Sequence, residues 1–173
     1  MNALEKQILK EQIDRYLAEQ YEPRSIRYSL AETDDAPVPD DASTFAVRAV
    51  RAFLRERADR ETFSDRLLRI IRERGLRESD VYNSVFMDRT LFSKIRSDPH
   101  YQPSKRTAIL LALALRLPLA EAQELLGKAG YRLSASDRGD LIVEYFISQG
   151  RYNVLDINEM LAEFHAPLLL KDH

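Results

Sequence analysis

Apolar residues recur along this chain at i, i+3, i+4 spacing, with few β-branched runs and only 5 glycines to interrupt them. That period predicts helices throughout. Ala3 to Gln20 carries Leu9, Ile13, Tyr16 and Leu17 on one side, with Leu4 and Ile8 offset, and Glu22-Pro23 ends it. Arg24 to Leu30 has the character of an extended segment. Residues 31–43, AETDDAPVPDDAS, hold two prolines, four Asp and one Glu with little to bury, and read as a linker or loop. Helical sequence resumes at Ser43 and runs to Arg60, its stripe being Ala46, Val47, Val50, Phe53 and Leu54.

Thr62 is an expected N-cap, because Asp65 follows three residues on, where a carboxylate suits the helix start. The helix after it, Phe63 to Arg74, should bury Phe63, Leu67, Ile70 and Ile71, with Gly75 just past its end. Four shorter helices are predicted next: about Glu78 to Val85; Arg89 to Ser97 behind a capping Asp88; Ser104 to about Leu115; and Leu119 to Lys128, closed by Gly130. Two more follow. Asp137 to Gln149 carries Leu141, Ile142, Tyr145 and Phe146, and Leu155 to Phe164 carries Ile157, Met160 and Leu161 before an apolar tail.

Composition narrows the class. The 173 residues have no cysteine, so neither a disulfide nor a thiolate metal site is expected, in keeping with a reducing cytosol. No apolar run is long enough to span a membrane, and the opening MNALEKQILKEQ lacks the apolar region of a secretory signal, so a cytoplasmic location is expected. The formal net charge of −2 hides an uneven distribution. Residues 62–132 hold 13 Lys/Arg against 8 Asp/Glu, whereas 133–173 hold 3 against 7. A basic middle between acidic flanks suits a nucleic-acid-binding module with protein-facing ends.

The middle segment also carries a resemblance. Asp88 to Ile95, DRTLFSKI, and Pro103 to Leu126, with its Pro-Ser cap, Ala/Leu helix, Leu117-Pro118 turn and Leu-x-Glu-Ala-x-x-Leu-Leu helix, resemble the XRE-type (Cro- and repressor-like) helix-turn-helix family. DVY, LFSKIR, PSKRT and AGY further resemble an uncharacterised bacterial subgroup of it. The likeness spans Phe63 to Tyr131 and implies an all-α fold, a five-helix repressor-like core with N- and C-terminal helical extensions. The implied organisation is an N-terminal amphipathic helix and extension (1–30), an acidic linker (31–43), the helix-turn-helix domain with its preceding helix (44–132) and a C-terminal helical extension (133–173). Implied too is a bacterial or phage-type regulator of transcription, a homodimer on double-stranded DNA without a cofactor. Arg89 to Arg96 would be the recognition helix, its N-terminal and outward side chains reaching base edges. On this mapping Arg89, Thr90, Leu91 and Ser93 face bases, while Lys94, Arg96, Lys105 and Arg106 suit phosphates. Tyr101, close to Lys105 and Arg106, is a candidate stacking residue. The chain departs from the family at Tyr82, where a small residue is usual, at Phe86, where the turn usually has Gly, and at Glu78, where a Gln often grips phosphate.

An alternative use of the same helices is a protein-interaction module (an antitoxin, a defence-system adaptor or an assembly factor) contacting its partner through Tyr82, Phe86 and Leu91. The acidic C-terminal helices either pad the core or meet a protein partner. The N-terminal helix, held off by the acidic loop, is a second candidate contact. An enzyme is not expected: there is no Gly-rich phosphate loop, HExxH, Gly-x-Ser-x-Gly or cysteine nucleophile. His100, His165 and His173 have no carboxylate at ligand spacing, so no metal site is expected.

Overall fold

A computed structural model describes residues 2–22, 46–53 and 61–170, and every regular element among them is helical. The chain divides into two units, Met1–Arg24 with Thr62–His173, and Ser25–Glu61. The first contains α1 (Ala3–Gln20). In the second, residues 46–53 are helical (α2), and Val47, Val50 and Phe53 of the expected stripe are 46%, 56% and 49% exposed. The rest of the helix expected over Ser43 to Arg60, the 31–43 linker, the expected extended segment Arg24 to Leu30 and residues 171–173 lie outside the described residues.

The first unit continues with α3 (Phe63–Glu73), α4 (Glu78–Ser84), α5 (Arg89–Ser97), α6 (Lys105–Ala114), α7 (Leu119–Lys128), α8 (Arg138–Ser148) and α9 (Val154–Glu163). Most of their starts are written in short polar side chains; α4 and α7 have no side-chain cap. Asn2 with Glu5, and Thr62 with Asp65, form reciprocal capping boxes. Asp88 accepts from the amides of Thr90 and Leu91, and Ser104 and Asp137 cap α6 and α8.

Six of these helices also stop alike. A residue in the left-handed region follows each of α3, α4, α6, α7, α8 and α9, and the next amide reaches back five positions, as Leu76 does to Ile71 and Met87 to Tyr82. Gly75 is one such residue, with φ +62°. Phe86, Arg116 and His165 do the same work without being glycine, at φ +53°, +48° and +52°. The turn at Phe86 therefore keeps the backbone that Gly would take; the side chain is turned out, 64% exposed.

α6 is the axis of the core. Ala108 to Leu113 are all buried along it, since it packs on α4 and α7 and its neighbours wrap it. α3 packs on α5 and α7, α4 on α5, and α8 on α7 and α9. Inside lie Leu67, Val81, Val85, Phe92, Ile95, Leu111 and Leu125. Burial of such side chains contributes about 1.5–3 kcal/mol each.

The end helices join the same core. α1 seats on α8 rather than standing off behind the acidic loop. Leu9 and Ile13 are buried there while the offset Leu4 and Ile8 stay 71% and 49% exposed, so the helix buries one of its two stripes. Polar contacts hem the joint. Tyr16 Oη donates to Glu144 at 3.1 Å, Tyr145 Oη donates to Gln12 at 3.1 Å, and the two tyrosine rings meet edge-on at 5.3 Å. Lys6 reaches Glu159 at 3.1 Å and Glu163 at 3.5 Å, and Lys10 pairs with Glu163 at 2.5 Å. The acidity of the C-terminal extension thus meets lysines of α1. Leu141, Ile142, Val143 and Phe146 of α8 are buried within the unit, so this helix pads the core and leaves little apolar surface for another protein.

Candidate functional site

α4 and α5 meet through Val81, Val85, Phe92 and Ile95, which all point into the core. With those positions inward, the remaining sides of both short helices face out. Arg89, Thr90, Lys94 and Arg96 are exposed, Ser93 is half-buried, and Leu91 is half-buried with its side chain against the core. A groove of about 250 Å³ runs between the two helices, lined by Glu78, Ser79, Tyr82, Arg89, Phe92, Ser93 and Arg96.

Tyr82 sits on the rim of that groove. Its ring is tilted against Phe92 at 5.5 Å between centroids, and Val81 and Val85 are buried in the core. The large residue at position 82 is accommodated half-buried, its ring packed on Phe92 of α5 while it also lines the groove. Glu78 does not stand as an isolated carboxylate: it accepts from Arg96 Nη1 at 3.1 Å. That pair ties the start of α4 to the end of α5 on the outer surface. Asp88, at the head of α5, is held below the usual carboxylate range by hydrogen bonds from Thr90, side chain and amide, and from the amide of Leu91.

The other expected site residues lie apart from this groove. Tyr101 is half-buried with its ring packed on the core, not presented as a platform. Lys105 and Arg106, expected to bind phosphate, open α6 but are engaged by the C-terminal extension. Lys105 Nζ pairs with the buried carboxylate of Asp140, and Arg106 Nε donates to the carbonyl of Leu169. Asp140 also accepts from the amide of Ser134 at 2.9 Å. Burial pushes its carboxyl above the ordinary range, against the opposing pull of Lys105 and the Ser134 amide. The physical reason is burial. A carboxylate at 5% exposure needs a partner, and the first turn of α6 supplies the cation.

Tyr82, expected from the sequence only as a protein contact, lines the groove, and so does Ser79, which sequence reasoning missed. The signal was available: Glu78, Ser79 and Tyr82 fall on one side of α4 at i, i+1, i+4, next to the buried Val81. No group of three or more potential metal ligands occurs among the described residues. No helix among them is long and apolar enough to cross a membrane.

Neither a family model, nor a curated protein, nor a solved structure matches this chain.

Proposed function

We propose that this chain is a sequence-specific, double-stranded DNA-binding regulator of transcription, with α3–α7 as a repressor-like five-helix core and α4–α5 as its helix-turn-helix. The observation that carries the reading is the Asp88-capped α5, whose Arg89, Thr90, Lys94 and Arg96 are exposed beside a groove-bearing α4. A short helix with its N-terminus and one polar side free is the shape a major groove admits. The five-residue turn-back at Phe86, with its positive φ, supports the same geometry.

In this reading Arg89 pairs bidentately with guanine, Thr90 and Ser93 donate to a base or phosphate, and Lys94 neutralises phosphate. Arg96 exchanges Glu78 for a phosphate as the duplex arrives. Lys105 and Arg106 have no part in this reading: Lys105 is paired with Asp140, and Arg106 is turned toward the tail, its Nε donating to Leu169. The protein acts without an enzymatic step, blocking or recruiting other proteins at a short site, as a homodimer on two half-sites.

Selection from random duplexes with purified protein tests this. An enriched motif is expected, with Arg89→Ala relaxing one base position and Lys94→Ala weakening all sequences alike. Lys94→Ala should also flatten the slope of log affinity against log salt by about 1. A second reading is favoured by one observation, the 64% exposed Phe86 at the turn. If the helices serve as a protein-interaction module instead, no duplex is enriched, and binding to the partner persists as salt rises.

A further inference from the structure

Between α6, α8, α9 and the tail lies a cavity of about 340 Å³ that the DNA-binding reading does not use. Its floor is aliphatic: Ile109 from α6, Val143 from α8, Leu161 from α9 and Leu168 from the tail. Gly139 forms part of the wall, where an added Cβ would stand 3.2 Å from Asp137 Oδ1.

Polar groups at this cavity differ in how fully they are engaged. Lys105 is taken by Asp140, and Asp137 Oδ1 accepts the amide of Asp140 at 3.0 Å. Arg106 also lines the cavity, yet only its Nε is engaged, by the Leu169 carbonyl. Its Nη1 and Nη2 have no acceptor among the described residues. A guanidinium with that edge free, half-buried beside an apolar floor, matches one kind of ligand: a planar anion carrying a short hydrocarbon chain. The volume is at the small end of ligand pockets, which suits a short chain.

We infer that this cavity binds a small aliphatic monocarboxylate, its carboxylate paired with the Nη1 and Nη2 edge of Arg106 and its chain on Ile109, Val143, Leu161 and Leu168. The inference does not depend on the DNA-binding reading, because it concerns a separate face and is tested on the free protein.

Hexanoate is the probe, with hexanol and hexylamine as controls, followed by methyl and amide resonances and by the melting temperature. Hexanoate is expected to shift the resonances of Ile109, Val143 and Leu161 in a saturable way and to raise the melting temperature. Hexanol should act more weakly, and hexylamine least. Arg106→Gln should weaken hexanoate by about tenfold or more, and Arg106→Lys by less, since it keeps the charge but loses the fork. Unchanged far-UV dichroism in both variants separates loss of binding from loss of fold. The inference is overturned if hexanoate up to tens of millimolar leaves these resonances in place, if Arg106→Gln binds it as the parent does, or if hexylamine binds equally well. None of these outcomes bears on duplex selection, so the two readings stand or fall separately.

Discussion

Phe86 holds a backbone conformation that L-residues other than Asn and Asp rarely adopt, and it does so with its ring mostly in water. Left-handed geometry costs a residue with a Cβ about 1–2 kcal/mol, and an exposed ring recovers little of that by burial. Phe86→Gly is therefore expected to stabilise the fold by about 1 kcal/mol, after the greater freedom of glycine in the unfolded chain is subtracted. Chemical denaturation read by far-UV dichroism checks this, and an unchanged or lowered midpoint would mean the ring makes contacts that matter to stability. The sequence could flag the position, because a residue stands where a helix must end and Gly is usual. It could not say that the backbone would comply while the side chain gave way. The same blindness affected Lys105 and Arg106. Position alone made them phosphate ligands, but a buried Asp140 thirty-five residues away in the chain claims one of them, and a tail carbonyl the other.

Helices were the most legible level. α1, α5 and α7 fall within the bounds that the apolar period gave them, and for α5 the capping Asp88 fixes the start locally. What local signals cannot give is where a helix docks. α1 carries two apolar stripes, and only the tertiary fit decides that Leu9 and Ile13 go in while Leu4 and Ile8 stay out. Its polar hem makes this docking sensitive to pH. The Lys10 ammonium and, to a smaller degree, Lys6 hold the Glu163 carboxyl below its ordinary 4.5, so its contribution is present above pH 4.5 and is lost as pH falls below it. Lys10 is raised from 10.5 chiefly by its hydrogen bond to Glu163, so its contribution is present below pH 10.5 and is lost above. The protection factors of α1 amides, taken against the intrinsic exchange rate at each pH, should accordingly be greatest between those limits and fall on both sides. Glu163→Gln should flatten the acid limb. Tyr16 takes no part in the alkaline limb near pH 10, since burial and Glu144 push its hydroxyl up to about 12.

At the scale of the whole molecule, the buried residues of α1 and of α3 to α9 form one contiguous cluster, with Ile13 and Leu111 both at 0% exposure. A contiguous core unfolds as one body. Ile13→Ala is expected to remove about 2–4 kcal/mol and to lower a single calorimetric transition, as Leu111→Ala would. Two separate transitions would show that α1 melts on its own. The candidate interface was legible at this scale in part: the basic excess of residues 62–132 includes the cations of α5. The acidic excess after residue 132 looked like a protein-facing surface, yet Asp140 and Glu163 answer lysines of this same chain. Charge counts cannot distinguish an intramolecular partner from an external one. The interlock of α1 with α8 has a consequence during synthesis. α1 leaves the ribosome before α8, so the surface that covers Ile13 does not exist until residues 138–148 have been made. At about 5–20 residues per second the interval is on the order of ten seconds, through which Leu9 and Ile13 stay open to any chaperone that samples nascent chains.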